Sequence, residues 1–227
     1  MATMNNAYAE ENVLDIRMQR LFVEALQMGA VKSDSIRDVF YIQLETGMRS
    51  GEAVAVEWGD VDFENATLTV RKTARRTKKQ YSKLEIGPTK SRRERKVPLS
   101  ENALRIFCER WKTAIDTSEE TLVFTNNRGR LIEPNGLNRY LKQCRTKMQE
   151  LAPEGVAIPK FTTHSFRHTF ATRMLEQGVP QKVVADWLGH SSTRITGDLY
   201  SHVLQDTSRG YRQGVGNVID FGLMELI

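Results

Sequence analysis

One short run, residues 163–168, reads Thr-His-Ser-Phe-Arg-His and decides how the rest of this sequence is interpreted. Within and after it, Phe166, Phe170 and Met174 follow helical spacing, which predicts a helix with a buried apolar stripe. A threonine at 162 or 163 can cap the start of this helix, and Gly178 ends it. The polar residues of the run are therefore held on a rigid element.

Two polar side chains of the run, His164 and Arg167, are three residues apart and project from one side of the helix. Arginine can grip two phosphate oxygens with its planar fork, and histidine can transfer a proton near neutral pH. The pair therefore suits a phosphate group. Two other interpretations stay open from these residues alone: ordinary surface or capping residues, and a metal site shared with His168. A metalloprotease helix, however, needs a glutamate where Ser165 stands.

Length and composition limit the class of protein. The 227 residues suffice for one domain with a substantial core. No apolar run is long enough to span a bilayer and no signal peptide opens the chain, so we expect a cytoplasmic protein. Cys108 and Cys144 lie far apart without metal-ligand spacing, which favours two reduced thiols.

The positive charge is concentrated in one segment. The net charge is +5, yet residues 71–96 hold twelve lysines and arginines against two acidic residues. The rest of the chain has 21 basic and 26 acidic residues and is therefore negative. Such a concentration predicts a polyanionic partner such as nucleic acid, although a charge run is often only a solvated face or a disordered tail.

Hydrophobic periodicity predicts an α+β protein that is mainly α-helical with a small antiparallel sheet. The predicted helices cover residues 15–28, 34–46, 50–58, 101–115 and 134–148, the helix from residue 163, and one that ends at Gly189. The predicted strands are 67–70, 84–86 and 95–99, with a further extended piece at 121–124. Lys90 is expected at or near a hairpin tip, where it can equally be one more solvated cation.

Arg49 lies where a tight bend at Gly47 meets the start of a helix capped by Ser50. An arginine at such a junction can bind a ligand, or it can serve only to pair with Glu52 or Glu45. The residue pattern alone leaves both interpretations open.

Five motifs follow one another along the chain. They are Thr46-Gly47-Met48-Arg49 with Glu52, Thr89-Lys90-Ser91 before Val97-Pro98-Leu99, His164-Ser165-Phe166-Arg167-His168, Leu188-Gly189-His190-Ser191, and Tyr200-Ser201-His202-Val203. In this order they resemble the catalytic domain of tyrosine recombinases, the family of phage and conjugative-transposon integrases. The resemblance covers roughly residues 40–203 and implies the DNA breaking-rejoining type of fold, wrapped on duplex DNA.

The resemblance implies an enzyme that cleaves and rejoins DNA through a 3′-phosphotyrosine intermediate, without metal or nucleotide cofactor, and integrates or excises a mobile element. The catalytic set that it implies is Arg49, Lys90, His164, Arg167, His190 and the nucleophile Tyr200. The two arginines would hold the phosphate oxygens, His164 would act as base, Lys90 would protonate the leaving 5′ oxygen, and His190 would hydrogen-bond the phosphate. Tyr200 is favoured over the runner-up Tyr211 because it follows Gly189 and His190 by a short loop.

We also expect cations of the basic segment to contact DNA: Arg71, Lys72, Arg75, Arg76, Lys78, Lys79, Lys83, Arg92 and Arg93. The partners that the resemblance implies are duplex DNA recombination sites and further copies of the chain, from a dimer to a synaptic tetramer. It leaves room for an accessory excision factor, and no membrane partner is expected.

The expected organisation is a linker or frayed terminus at 1–13, a catalytic domain at 14–203 and a tail at 204–227. The tail ends in apolar residues, which either pack on their own core or are donated to a neighbouring protomer. The amino-terminal DNA-clamping (core-binding) domain usual in such integrases is expected to be absent. Two other functions stay open: DNA relaxation like that of a type IB topoisomerase, and a catalytically silent DNA-binding module. The presence of all six residues of the implied catalytic set argues against a catalytically silent protein.

Overall fold

The computed structural model describes residues 13–77, 83–89 and 93–190. The helices in these ranges are α1 (Ile16–Gln27), α2 (Asp34–Thr46), α3 (Ser50–Ala53), α4 (Glu101–Thr113), α5 (Leu137–Leu151), α6 (Thr163–Glu176) and α7 (Gln181–Leu188). The strands are β1 (Val61–Asp62), β2 (Thr67–Val70), β3 (Lys72–Arg76), β4 (Leu84–Pro88) and β5 (Arg95–Pro98). This arrangement confirms the mainly helical α+β class.

Helix α6 lies at the centre of the molecule. Thr162 caps it, since its hydroxyl accepts from the His164 N–H at 3.2 Å. Every residue from 163 to 172 is buried except His164, because α2, α5 and α7 all pack around the helix. The prediction of a single apolar stripe was therefore too narrow. The buried hydroxyl of Thr169 is satisfied within the helix, since it donates to the Ser165 carbonyl at 2.8 Å.

An aromatic cluster fixes α6 against the first two helices. The Phe166 ring lies 5.0 Å from Phe22 on α1, 5.8 Å from Phe40 on α2 and 6.1 Å from Phe161. Phe22, Phe40 and Phe166 are fully buried. Because each buried aromatic contributes roughly 1.5–3 kcal/mol relative to an exposed one, this cluster sets the position of the run that the sequence singled out.

The predicted strands form two small sheets rather than one. In the three-stranded sheet β2 lies between β1 and β5, all antiparallel, with Leu68 opposite Val97. Strands β3 and β4 form a separate antiparallel pair in which Arg76 faces Leu84. The chain changes sheet at Arg71, whose guanidinium bonds Asp60 at 2.6 Å. Lys90 lies outside the described residues.

The helix predicted over residues 50–58 was wrong beyond its first turn. Helix α3 ends at Ala53, and Ser50 is its first residue rather than its cap. The β-branched Val56 instead lies in extended chain, where its carbonyl accepts from the Val123 N–H at 2.9 Å. Trp58 donates its N–H to Thr121 at 3.0 Å. The segment around 121–124 thus takes the hydrogen bonds that a longer helix would have made.

Other helix ends differ from the prediction by a few residues. Helix α4 stops at Thr113, so that Ile115 is fully exposed. A 3₁₀ turn occupies Pro134–Gly136 before α5 begins at Leu137. In the described ranges, the helices are all too short or too polar to cross a membrane.

Candidate active site

Three of the predicted catalytic residues line one groove. Arg49, His164 and Arg167 border a cavity of about 480 Å³, together with residues 73–76 of β3 and the turn at 133–135. The hydroxyl of Ser50, next to Arg49, donates to Thr163 at 2.7 Å and so joins the first residues of α3 and α6. The groove is therefore built from segments more than a hundred positions apart in sequence.

The side chain of Arg167 ties the groove wall together. It is buried, and its guanidinium donates to the carbonyl of Gly47 at 3.0 Å and to the carbonyl of Leu188. The first carbonyl belongs to the bend just before Arg49, and the second to the end of α7 just before His190. One guanidinium thus fixes the relative position of three of the five sequence motifs.

Arg49 pairs with Glu52 and still borders the groove. Its backbone N–H donates to Glu52 Oε2 at 2.9 Å, and its guanidinium to Oε1 at 3.1 Å. The ion pair that the sequence left open is therefore present. The Arg49 side chain nevertheless remains 46% exposed, so pairing does not remove it from the groove.

Sequence reasoning missed the residue that completes this arrangement, Arg95. Its guanidinium donates to Glu52 Oε2 at 2.6 Å and Oε1 at 3.2 Å, and its Nε donates to the Trp187 carbonyl at 2.6 Å. Burial raises the pKa of Glu52, but the charges and hydrogen bonds of Arg95 and Arg49 outweigh this and hold the pKa below its ordinary value. A signal was available: Arg95 precedes the buried Val97 by two residues in a strand and so faces inward.

The surroundings of the three imidazoles at the site favour their neutral form. Desolvation, followed by the charges of Arg167 and Arg49, lowers the pKa of His164 below its usual 6.5. Burial and the same two arginines lower the pKa of His190 to about 3. Burial, with His164 and Arg167 nearby, lowers the pKa of His168 to about 4. All three rings are therefore neutral at pH 7 in the free protein.

The metal interpretation gains no further ligand from the fold. The rings of His164 and His168 lie 4.6 Å apart with their planes at 89°. Within the described part of the chain, no three His, Cys, Asp or Glu side chains are grouped so that they could hold a metal ion. Cys108 and Cys144 are free thiols, and burial raises the pKa of Cys144 to about 12.

Of the nine cations predicted to contact DNA, six lie in the described residues. Three are engaged by carboxylates: Arg71 with Asp60 at 2.6 Å, Lys72 with Glu57, and Arg76 with Glu133 at 2.6 Å. Arg75, Lys83 and Arg93 are exposed, and Arg75 and Arg76 line the groove. Lys78, Lys79 and Arg92 lie outside the described residues, as do the predicted catalytic Lys90 and Tyr200.

Comparison with known proteins shows which family the chain resembles. The sequence profile of the phage integrase family matches residues 17–206. A tyrosine recombinase XerC-like protein of Caldanaerobacter subterraneus subsp. tengcongensis is 31% identical over 77% of this chain and 47% of its own length. Tyrosine recombinase XerC of Pediococcus pentosaceus is 30% identical over 86% of this chain and 60% of its own length. The chain thus spans about half the length of these curated relatives.

Solved structures support the fold. The Tn1549 transposon integrase (amino acids 82–397), solved in complex with circular intermediate DNA, superposes with a TM-score of 0.71 at 23% identity. The match covers 89% of this chain and 64% of that one. Because the family profile matches most of the sequence and the same fold recurs, the chain belongs to the phage integrase family, the tyrosine recombinases.

Proposed function

We propose that residues 14–203 form the catalytic domain of a site-specific recombinase that cleaves and rejoins DNA through a 3′-phosphotyrosine link, and so integrates or excises a mobile element. The observation that carries the proposal is the convergence of Arg49, His164 and Arg167 on one groove. The first curated relatives carry the names of recombinases, and membership of their family makes this chemistry the first one to test.

The two arginines suit the charge that develops at phosphorus. Attack on a phosphodiester passes through a pentacoordinate state with additional negative charge on its oxygens. Guanidiniums that are fixed before the reaction stabilise such charge most, because nothing has to reorganise. Arg167, anchored by two carbonyls, and Arg49, anchored by Glu52, meet this requirement.

The proton transfers are then assigned as follows. A free phenol has a pKa of about 10, so Tyr200 needs a base to attack phosphorus. His164 is neutral at pH 7 and takes that proton, while Lys90 gives a proton to the departing 5′ oxygen. His190 hydrogen-bonds the phosphate. A 5′ hydroxyl of a second strand reverses the same steps, so that rejoining needs no ATP.

Duplex DNA is the proposed partner. The integrase of Tn1549 was solved with DNA, and here Arg75 is an exposed cation that lines the groove, while Lys83 and Arg93 are exposed cations of the same basic segment. Contacts to phosphates would make the affinity strongly dependent on salt concentration. A recombinase has to reach the DNA sites that it cleaves, so we propose that the protein is located in the cytoplasm.

A second, apolar groove bears on the proposed assembly of protomers. Its volume is about 330 Å³, and α1, α2, α6 and α7 contribute Val23, Leu44, Met174 and Trp187 to its wall. The tail has matching chemistry: its last thirteen residues include Val215, Val218, Ile219, Phe221, Leu223, Met224, Leu226 and Ile227. We propose that residues 204–227 of one protomer occupy this groove on its neighbour within an assembly on DNA.

The test of the chemistry is covalent capture. Incubated with a nicked suicide substrate, the protein should form a DNA adduct that survives denaturation, and mass spectrometry should place the DNA on Tyr200. Tyr200→Phe should abolish the adduct and leave DNA binding within about twofold, because only the nucleophilic hydroxyl is lost. The control Tyr211→Phe should form the adduct normally. An adduct with Tyr200→Phe, or none with the wild type, would overturn the proposal.

A further inference from the structure

Arg95 connects two segments of the chain that are remote in sequence. On one side it holds the carboxylate of Glu52, which in turn holds Arg49. On the other it holds the Trp187 carbonyl in the last turn of α7, three residues before His190. We propose that Arg95 is a positioning residue of the recombinase active site, fixing the Arg49 guanidinium relative to the turn that carries His190. This inference rests on the proposed function.

Burial separates this role from DNA contact. The side chains of Arg95 and Glu52 are 8% and 2% exposed, whereas that of Arg49 is 46% exposed. Arg95 therefore acts through its neighbours. Gly189, the left-handed cap of α7 before His190, rests on the same side chain: a Cβ there would lie 3.1 Å from Arg95 Cδ and Nη1. The turn to His190 thus packs directly on the residue that holds Glu52.

Glu52 is the link between the two guanidiniums. Its Oε1 accepts from Arg95 at 3.2 Å and from Arg49 at 3.1 Å, while its Oε2 accepts from Arg95 at 2.6 Å and from the Arg49 backbone at 2.9 Å. Charged groups face it from β5 (Arg95) and from the turn before α3 (Arg49). Without Arg95, burial would favour the protonated carboxyl, which holds a guanidinium far less tightly.

The contacts of Arg95 with Glu52 and Trp187 depend on the planar, forked shape of the guanidinium. A lysine would keep the charge, but it has a single nitrogen and cannot bond both Glu52 oxygens and the Trp187 carbonyl in one plane. Two substitutions therefore separate charge from geometry: Arg95→Gln removes the charge, and Arg95→Lys removes only the fork. A misplacement of about 1 Å at a reacting group can cost about 100-fold in rate.

The first test measures DNA affinity and the rate of adduct formation per folded molecule. Arg95→Gln should bind DNA within about twofold of the wild type and form the adduct about 100-fold more slowly, with Arg95→Lys in between. In Arg95→Gln, protonation of Glu52 should add a fall in rate in acid beyond the fall due to His164, and the further substitution Glu52→Gln should remove only this added part. The matched control is Arg110→Gln, which breaks a partly buried pair with Asp38 (2.6 Å) between α4 and α2. It should lower stability and leave the rate per folded molecule unchanged.

The second test does not depend on activity. Carbon-13 NMR of labelled glutamate should show Glu52 ionised below its ordinary pKa of 4.5 in the wild type and titrating above it in Arg95→Gln. An unchanged Glu52 titration, or an Arg95→Gln adduct rate equal to that of the wild type or of Arg110→Gln, would overturn the role of Arg95. If the wild type forms no adduct, the proposed function fails, and the NMR titration still decides whether Arg95 fixes Glu52.

Discussion

At the scale of single residues, Arg167 serves the fold and the site with the same group. A buried guanidinium is costly unless its donors are matched, and here two backbone carbonyls accept from it. Those carbonyls lie beside Arg49 and His190, so the contacts that satisfy Arg167 also assemble the groove. Lysine would retain the charge but has no fork with which to reach both carbonyls. We therefore regard the arginine at 167 as fixed by geometry as much as by charge.

As the proposed base, His164 should give adduct formation a pH dependence whose direction follows from the surroundings of the imidazole. Desolvation and the two arginines lower its pKa below 6.5, so the neutral, proton-accepting form persists into mild acid. We expect the second-order rate constant for adduct formation, which reports the free protein, to be flat near neutrality and to fall only below pH 6.5. His164→Gln should lower this constant about 100-fold or more and remove that acid limb. An acid limb that persists in His164→Gln would assign it to another group.

At this scale, the sequence identified the candidate site residues that belong to a recognisable motif. It missed Arg95, whose importance follows only from its contacts in the folded protein. Arg49, His164 and Arg167 were predicted together, and the groove brings them together. Arg95 was placed in the basic segment and in a predicted strand, without a role at the site. Its partners Glu52 and Trp187 are 43 and 92 positions away, and no local pattern specifies such pairs. Their proximity arises only once β5 is paired and α7 has packed beside it.

At the scale of elements, the chain was predictable where one helix or strand buries one face. Helices α1 and α2 and strand β2 follow that rule, and their predicted bounds lie within a few residues of the observed ones. The rule fails at α6, which is buried on nearly all sides, and after α3. There the backbone of Val56 and Trp58 finds partners in residues 121–123. Tertiary hydrogen bonds of this kind override local helix preference.

Gly47 shows how one turn between elements depends on packing. It has φ +64°, and a Cβ there would lie 2.6 Å from Phe170 Cδ1 and 2.8 Å from Leu188 Cδ2. Gly47→Ala should therefore lower the free energy of unfolding by about 3 kcal/mol, from backbone strain and overpacking together. Gly129→Ala is the matched control, with φ +67° and open space around the Cβ, and should cost about 1 kcal/mol. Urea denaturation measures both, and equal losses would show that the packing at Gly47 is irrelevant.

At the scale of the whole molecule, the two grooves differ in what lines them, and we propose different roles for them. The groove at Arg49 is lined by charged and polar groups from β3, the turn at 133–135 and α6. The apolar groove lies among α1, α2, α6 and α7, and Trp187 of α7 borders it three residues before His190. Helix α7 thus contributes to both regions: its last turn binds Arg167 and Arg95, and Trp187 lines the second groove. Occupation of the apolar groove would therefore act on the same helix that positions His190.

The proposed binding of the tail in the apolar groove can be tested by introducing one negative charge into the groove. Val23→Glu should raise the protein concentration needed for assembly on DNA about 30-fold, since a carboxylate forced against the apolar tail costs about 2 kcal/mol. Adduct formation by single protomers on a half-site should continue, because Val23 lines the apolar groove and not the groove at Arg49 and Arg167. Met28→Glu, at an exposed position following the same helix, should leave assembly unchanged. Sedimentation of the DNA complexes measures the stoichiometry.

Unchanged assembly with a less stable monomer would show that the tail occupies the groove of its own protomer. Relaxation of supercoiled DNA without strand exchange would then become the expected activity.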